Sequence, residues 1–408
     1  MDSILKNAKL HVDRDAELVD IGISNGKIEA IQANLQAEGQ EFDLNGCMVT
    51  SGFIETHIHL DKSCILERCQ SNKGDLDEAI QEAAKAKAEF TVDDVYERGK
   101  RTLEKCIVNG TTHMRTHLEV DPVIGLIGLE GIKTLIDDYK WAMDIEICVF
   151  PQEGLLNNPG TDELMVAALE NGATVVGGAP YTDSDPHGQI DRLFELSREF
   201  DTDIDMHLDF GTDPSNLDLD YVCELTDRHN YGGRVTIGHV TKLSMLPTSQ
   251  LHNVATKLAN SGVALTVLPS TDLFLMGRHQ DYSIMRGVTA AHKLLGDGVN
   301  CSLSTNNVLN PFTPFGDCSL VRMANLYANI AQIGKQEEIL ECFHMITSRA
   351  AKILRLEGYG VQEGNPADLV VLNCQDPATA IAELAQPLFG FKRGRLTFSQ
   401  APAQINHP

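Results

Sequence analysis

Residues 52–62 read GFIETHIHLDK. An apolar strand pattern ends there at His57 and His59, and residues two apart on a strand project to the same face. Both imidazoles can therefore reach one metal ion. A lone His-x-His pair is weak evidence for a metal site, because core histidines that are satisfied by hydrogen bonds give the same pattern. The rest of the chain has to decide between the two interpretations.

Further strand patterns follow, and helical segments separate them. With the first one included, they end near His57–His59, His117, Pro151, Pro180, Asp209, Val240, Pro269 and Asn306. From Pro151 to Pro269 the strands recur at roughly 30 residues, the length of a β/α unit. Eight alternations favour a closed barrel over an open doubly wound sheet, and no glycine-rich dinucleotide turn follows the first strand. We therefore predict an α/β fold with a (β/α)8 barrel over residues 51–359.

Short strand patterns occupy both ends of the chain. Residues 4–12 are apolar-rich, and residues 18–23 precede the turn Asn25-Gly26, a favoured hairpin connection. Near the other end, residues 368–372 and 389–398 also read as strands. We expect residues 1–50 and 360–408 to form one small β-sandwich beside the barrel.

Several helices carry recognisable boundary signals. Thr91 followed by acidic residues is typical of an N-cap, and Gly110 is a candidate C-terminal stop. Apolar residues recur at helical spacing in residues 161–169, 191–200 and 320–333. Residues 61–90 look like an insertion after the first strand, with a charged helix over residues 75–87. Its charges are expected to form a solvated face.

Composition limits the function classes. The formal net charge of -25 argues against nucleic-acid or anionic-membrane partners, because such surfaces attract Lys and Arg. The first residues lack the apolar core of a signal peptide, and no run approaches a membrane span. Ten cysteines without a CxxC pair read as reduced thiols. We expect a cytoplasmic protein with a small-molecule substrate; a homo-oligomer remains open.

In a barrel of this kind the active site lies at the carboxyl ends of the strands. The polar residues at those positions are His57, His59, His117, Gln152, Glu153, His207, Asp209, His239, Asn306 and Asn307. Histidines from strands one, five and six converge on one rim. This convergence favours a metal site over a set of core histidines.

These residues resemble the amidohydrolase superfamily. The chain is most similar to the cytosine deaminase branch and the related aminohydrolases of s-triazine breakdown. Matching segments besides residues 52–62 are RTHLEVD at 115–121, VFPQEG at 149–154, GRVT at 233–236, PFTPFG at 311–316 and GNPADLVVL at 364–372. The resemblance therefore covers nearly the whole chain.

The resemblance implies one divalent metal ion, Zn²⁺ or Fe²⁺, held by His57, His59 and His207. Imidazole ligands suit either metal. It also implies that His239 holds the hydrolytic water or the substrate and that Gln152 bonds the ring amide. The remaining candidates for substrate binding are Phe210, as an apolar wall, Asn307 and His117.

Two positions depart from the pattern of the resembled family. Its strand-eight Asp falls on Asn306, with Asn307 next to it, and its strand-five Glu falls on Phe210. An amide can coordinate a metal through oxygen but cannot take or deliver a proton, and each acid–base group contributes roughly 10²- to 10⁴-fold. Asp209, two residues after His207, is the first candidate for a substitute acid; alternatively it orients a histidine. The predicted catalytic residues are therefore His239, Asp209 and Asn306.

From the sequence we predict a metal-dependent hydrolase for a non-peptide C–N bond of a small nitrogen heterocycle or cyclic amide. Cytosine deamination should be absent or very slow. One alternative is a catalytically degenerate homologue that binds a metal or ligand. Another is a lyase or isomerase step that needs only a Lewis acid.

Overall fold

The computed structural model of the protein describes residues 1–10 and 17–406, so the predicted strand end at Val12 lies outside the described residues. Its strands are β1 Ser3–Ala8, β2 Val19–Ser24, β3 Lys27–Gln32, β4 Gln40–Asp43, β5 Met48–Ser51, β6 Phe53–Ile58, β7 Thr111–Glu119, β8 Asp144–Phe150, β9 Val175–Gly178, β10 Asp203–Leu208, β11 Val235–His239, β12 Val263–Val267, β13 Cys301–Leu303, β14 Leu369–Leu372, β15 Pro387–Lys392 and β16 Arg395–Ser399.

The helices lie mainly between the strands of the central sheet. They are α1 Leu76–Lys87, α2 Val92–Val108, α3 Ile127–Tyr139, α4 Thr161–Glu170, α5 Pro186–Phe200, α6 Leu219–His229, α7 Thr248–Ser261, α8 Pro269–Leu275, α9 Ala291–Gly296, α10 Leu320–Ile330, α11 Gln336–His344, α12 Ser348–Ile353 and α13 Pro377–Ala382. Short 3₁₀ helices cover Leu66–Arg68, Pro180–Thr182 and Thr241–Met245.

Strands β6 to β13 form an eight-stranded sheet in chain order, and the paired neighbours are parallel. The first and last strands meet at their carboxyl ends. There the backbone N–H of Asn306 donates to the carbonyl of His57 at 2.9 Å, and that of His59 donates to the carbonyl of Asn306 at 3.0 Å. The predicted barrel and its strand ends are confirmed, and this closure brings strand one beside strand eight.

The two chain ends form two four-stranded sheets, in the orders β3-β2-β1-β4 and β16-β15-β14-β5. They share a buried core to which Ile21 and Ile23 contribute from one sheet and Leu369 and Phe391 from the other. The predicted pairing of the ends is provided by β5, which lies antiparallel to β14. The other N-terminal strands pair among themselves.

Local signals account for most helix boundaries. The hydroxyl of Thr91 accepts from the backbone N–H of Asp94 at 3.2 Å and caps α2, as predicted. Helix α5 begins five residues before the predicted start, because Asp185 caps it and Pro186 occupies its first turn. In the described part of the chain, no helix is both long and apolar enough to span a bilayer.

Candidate metal centre and active site

Four histidines from three strands meet at the carboxyl end of the barrel. We call His57, His59, His207 and His239 the histidine cluster. The Nε2 atom of His207 lies 3.1 Å from Nε2 of His57 and 3.3 Å from Nε2 of His59. Ligand atoms of His57, His207 and His239 all lie within 4.8 Å of one another. The predicted ligands therefore share one small volume, with His239 beside them.

Three imidazoles of this cluster, those of His57, His59 and His207, favour the neutral form. Burial lowers the pKa of His57, His59 and His207 well below the usual value, and charges on their neighbours lower it further. The Nδ1 atom of His207 lies 3.3 Å from the carbonyl of Gly178, which fixes its proton there and leaves Nε2 unprotonated. The Nδ1 atoms of His57 and His59 are buried without a hydrogen-bond partner. Neutral imidazoles whose Nε2 atoms converge fit a divalent cation such as zinc.

The chain takes a strained path where several barrel strands end. Asp209, His239 and Asn306 have φ values of 48°, 68° and 64°. Left-handed conformations are uncommon outside glycine and cost of the order of 1–3 kcal/mol each. At each strand end the backbone therefore turns, and the side chains no longer follow the alternation of an extended strand.

A small cavity lies above the histidine cluster. Of the predicted site residues, it is lined by His59, His207, His239, Gln152, Phe210, Asn306 and Asn307. Its volume of ≈ 10 Å³ holds about one water molecule. No carboxylate lines this cavity among the residues that the structure describes. A larger groove of ≈ 630 Å³ on the surface contains none of these histidines.

His117 is not on the cavity wall. Its ring stacks on His57 with centroids 3.6 Å apart and planes at 23°, and its Nε2 atom faces Asp205 at 3.5 Å. Asp205 in turn pairs with Arg115 at 2.8 Å. The structure therefore places the predicted substrate-binding residue His117 beneath the cluster, away from the space for a ligand.

Asp209 is buried but faces away from the cluster. Its carboxylate accepts from the backbone N–H groups of Asp218 and Leu219 at 3.0 Å and from Lys242 Nζ at 3.1 Å. These contacts tie it to the start of α6. The structure brings it neither to the cavity nor to a histidine, so neither of its two predicted roles is supported by the geometry.

Asp272 was missed by the sequence argument. Its Oδ1 atom lies 2.5 Å from Nδ1 of His239, and its side chain is fully buried. It lies in α8, five residues beyond the end of β12 at Val267. A search restricted to strand ends does not reach it, and the local sequence holds no other signal for it.

Two lysines were missed as well. Lys62 Nζ contacts Glu119 at 2.5 Å, and Lys87 Nζ contacts Glu119, Asp121 and Glu153 at 2.6, 2.8 and 2.6 Å. We call these five residues the lysine–carboxylate cluster. Both ammonium groups are buried. The prediction that the charges of helix α1 form a solvated face is therefore wrong for Lys87. This side chain packs against the barrel, because it pairs with three carboxylates there.

The lysine–carboxylate cluster shifts the pKa values of its acids in opposite directions. Burial alone would raise the pKa of Glu119, but Lys62 and Lys87 outweigh it and lower the value to about 2. Burial and the charge of Glu119 raise the pKa of Glu153 to about 7. Glu119 is therefore the permanent anion of this cluster, and Glu153 titrates near neutral pH.

Lys62 also sets the orientation of Gln152. An ammonium group can only donate, and Lys62 Nζ donates to Oε1 of Gln152 at 3.1 Å. The Nε2 atom of Gln152 is buried without a hydrogen-bond partner. Gln152 therefore offers an N–H donor at the cavity wall.

A model of the Amidohydrolase family matches residues 140–389, and the chain belongs to this family. It is similar to the N-isopropylammelide isopropyl amidohydrolase of Pseudomonas sp., with 28% identity over 405 residues that cover 97% of this chain and 96% of the relative. A pterin deaminase of Rhizobium rhizogenes is 26% identical over 362 residues, which cover 87% of this chain and 82% of the relative.

Among solved structures, the chain is similar to the 5-methylcytosine deaminase from Klebsiella pneumoniae, whose crystal structure is liganded with 5-fluorocytosine. The TM-score is 0.93 and the identity 27%, and the alignment covers 99% of both chains. Together these similarities show a hydrolase of the amidohydrolase family that acts on C–N bonds. The predicted family and enzyme class are confirmed.

Proposed function

We propose that the protein is a metal-dependent hydrolase for a non-peptide C–N bond of a small nitrogen heterocycle, with removal of a ring amino or alkylamino group as the favoured reaction. The convergence of the Nε2 atoms of three buried imidazoles at the barrel mouth carries this proposal. The names of the relatives support the substrate class, because they include a pterin deaminase and an isopropylammelide hydrolase.

His57, His59 and His207 would hold the ion. A divalent ion there supplies a Lewis acid and lowers the pKa of a coordinated water toward about 7. His239 lies beside these ligands. Gln152 orients the ring by donating its Nε2–H to an acceptor atom of the substrate. Phe210, whose ring centroid lies 5.3 Å from that of His239, provides an apolar wall.

A ring does not fit the cavity without movement of its wall. A volume of ≈ 10 Å³ admits about one water molecule. Leu76 of α1 and Leu275 of α8 line the same space. Ligand entry therefore displaces side chains of these two helices.

A second candidate is a metal- or ligand-binding homologue without catalytic activity. It is favoured by the absence of any carboxylate from the cavity lining in the described part of the chain. Two positions that are acidic in the resembled family are Asn306 and Phe210 here. This candidate keeps the histidine cluster and the metal but performs no hydrolysis.

The deciding experiment uses protein loaded with Zn²⁺ or Fe²⁺ and measures release of ammonia or isopropylamine. The substrates are 5-methylcytosine, cytosine, pterin and N-isopropylammelide. Turnover of at least one compound, lost in His57→Ala, supports the hydrolase. A metal-loaded protein that leaves every compound unchanged and still binds one of them supports the non-catalytic candidate.

Cytosine itself should be a poor substrate. Without an acid at positions 306 and 210, proton transfer to the ring loses groups that contribute roughly 10²- to 10⁴-fold each. We expect a kcat below about 1 s⁻¹, the lower end of typical enzyme turnover. Faster ammonia release from cytosine would show that these positions do not limit the reaction.

A further inference from the structure

The end of β11 and the start of α8 are joined by one buried contact. Asp272 Oδ1 lies 2.5 Å from His239 Nδ1, and Asp272 Oδ2 accepts from the backbone N–H of Leu268 at 3.3 Å. Asp272 is 0% exposed and His239 4%. The carboxylate therefore has two partners that donate to it, and one of them is a histidine of the cavity wall.

This contact determines which nitrogen of His239 carries the proton. An ionised carboxylate can only accept, so the hydrogen lies on Nδ1 and Nε2 keeps its lone pair. The neighbour of Nε2 agrees with this assignment, because Nδ2 of Asn306, which can only donate, lies 3.4 Å away. The contact with Asp272 determines this tautomer, and the contact with Asn306 is compatible with it.

Two buried carboxylates belong to strand five or directly follow it, and neither is available for the role. Asp205 pairs with Arg115 at 2.8 Å, and Asp209 is bound to the start of α6. In the part of the chain that the structure describes, Asp272 is the carboxylate that makes a hydrogen bond to a histidine of the cavity lining.

We propose that Asp272 is a positioning residue that fixes His239 as the Nδ1–H tautomer, so that His239 presents an unprotonated Nε2 to the hydrolytic water or the substrate. The catalytic consequence rests on the proposed function; the tautomer does not. The assignment also gives the rim a carboxylate that follows strand seven. Phe210 and Asn306, which follow strands five and eight, are not acidic.

The variant Asp272→Asn tests the assignment at nearly constant volume. The backbone N–H of Leu268 still needs an acceptor, and the amide oxygen is the group that can serve it. The amide NH₂ then faces Nδ1 of His239 and donates to it. His239 has to move its proton to Nε2, so the variant should reverse the tautomer while the side chain stays in place.

The tautomer is measured by long-range ¹H–¹⁵N correlation on Zn²⁺-loaded protein labelled with [¹⁵N]histidine, since protonated and unprotonated ring nitrogens have well-separated shifts. Signals absent from His239→Gln identify this residue. Asp209→Asn is the matched control, because it neutralises a buried carboxylate of the same rim that contacts no histidine. We expect Nδ1–H in the wild type and in Asp209→Asn, and Nε2–H in Asp272→Asn.

Several results would overturn the proposal. They are an Nε2–H or doubly protonated His239 in the wild type, an unchanged tautomer in Asp272→Asn, and an equal change in Asp209→Asn. The wild-type spectrum alone decides the tautomer if Asp272→Asn does not fold. None of these measurements requires a substrate, so failure of the proposed function leaves them intact.

Once a substrate is found, kinetics separate positioning from folding. Asp272→Asn should lower kcat by roughly 10²-fold or more with little change in KM; the same substitution in a Ser-His-Asp triad, where it imposes the wrong tautomer, lowers kcat by about 10⁴. The melting temperature and zinc content should match those of the wild type. A fall in kcat that follows a loss of zinc would overturn the positioning role.

Discussion

Two buried polar clusters lie side by side at the barrel mouth and differ in how their members are satisfied. In the lysine–carboxylate cluster both ammonium groups contact carboxylate oxygens of opposite charge at 2.5–2.8 Å. In the histidine cluster, ring nitrogens face one another at 3.1 and 3.3 Å, and none of the described residues places a charged group between them. Buried polar groups are costly unless they are paired. The first cluster therefore pairs its charges internally, and the second brings together ring nitrogens that fit a divalent ion.

The two clusters meet at one side chain. Lys62 belongs to the charged cluster, and through its contact with Gln152 it orients an amide of the cavity wall. The charged cluster thus supports the site through Lys62, which also lines the cavity. This division of roles predicts that substitutions in the histidine cluster change metal content, whereas substitutions in the other cluster change stability.

The largest effect is expected for His57→Ala on metal binding. Loss of an outer-shell partner alone lowers metal affinity by about 10- to 100-fold, so loss of a ligand should exceed about 100-fold. Metal content after dialysis, measured by elemental analysis, should fall from stoichiometric to background. The fold should survive, because the substitution removes one of several buried ring nitrogens that lie close together.

His113→Ala is the matched control for this prediction. His113, Asp144 and Asp368 also lie close enough to hold an ion. However, Lys392 Nζ already lies 2.9 Å from Asp144 and 2.8 Å from Asp368. An ammonium group therefore neutralises this group of residues, and His113→Ala should leave the metal content unchanged. Equal losses in both variants would contradict the assignment of the metal to the histidine cluster.

The next effect concerns stability. Lys87→Met removes the shared partner of three carboxylates and leaves them buried without it. Breaking a buried ion pair costs about 3–5 kcal/mol, and urea denaturation should show a loss of this order. Lys85→Met is the control, because Lys85 lies on the same helix with its side chain 70% exposed. If both variants lost a similar free energy of unfolding, Lys87 would contribute no more to stability than an ordinary surface charge.

A smaller effect separates the two proposed functions. Asn306→Asp, alone and with Phe210→Glu, introduces acids at the two positions where the resemblance implies them. In a decayed deaminase they should restore slow ammonia release from a pyrimidine or triazine, since a base contributes roughly 10²- to 10⁴-fold. In an enzyme that works through His239 and Asp272, both variants should lose turnover. Asn306→Asp places a negative charge beside Nε2 of His239, where a neutral amide lies now, and Phe210→Glu adds a charge where an apolar ring packs.

The sequence predicts the fold well because the barrel is encoded by a repeated local pattern. All eight strand ends were predicted near their positions, and the contact that closes the barrel joins Ile58 to Asn306, just beyond β13. The histidine cluster was found for a related reason. His57, His207 and His239 lie on strands or at their ends, where position along the strand determines direction.

The errors lie where the chain leaves that regular geometry. Asp209 was placed on the same face as His207, but its φ of 48° turns the chain and its carboxylate reaches α6 instead. Asp272 and Lys87 come from helices that fold back over the mouth, at distances that no strand pattern specifies. Pairing between charges of distant segments depends on how the helices pack on the barrel. No local pattern in a single sequence predicts it.

The smallest effect is a change in the pH dependence of stability. The pKa of Glu153 is about 7 in the folded protein against 4.5 for an ordinary glutamate, so the folded state holds this proton longer than the unfolded state. The resulting stabilisation is complete below pH 4.5 and is lost as the pH rises through about 7. The groups that face Glu153 are Lys87, Glu119 and Asp121.

Glu153→Gln removes this titration. The wild type and the variant should have similar stability near pH 4.5. Above pH 7 the variant should be more stable by about 1–2 kcal/mol. This difference is smaller than the pKa shift alone would give, because Glu153 is partly exposed and is paired with Lys87. Urea denaturation at a series of pH values measures the difference. Glu170→Gln, at the exposed end of α4, serves as the control, and its free energy of unfolding should change with pH as that of the wild type does. A difference that stays constant with pH would mean that Glu153 does not hold its proton near neutral pH.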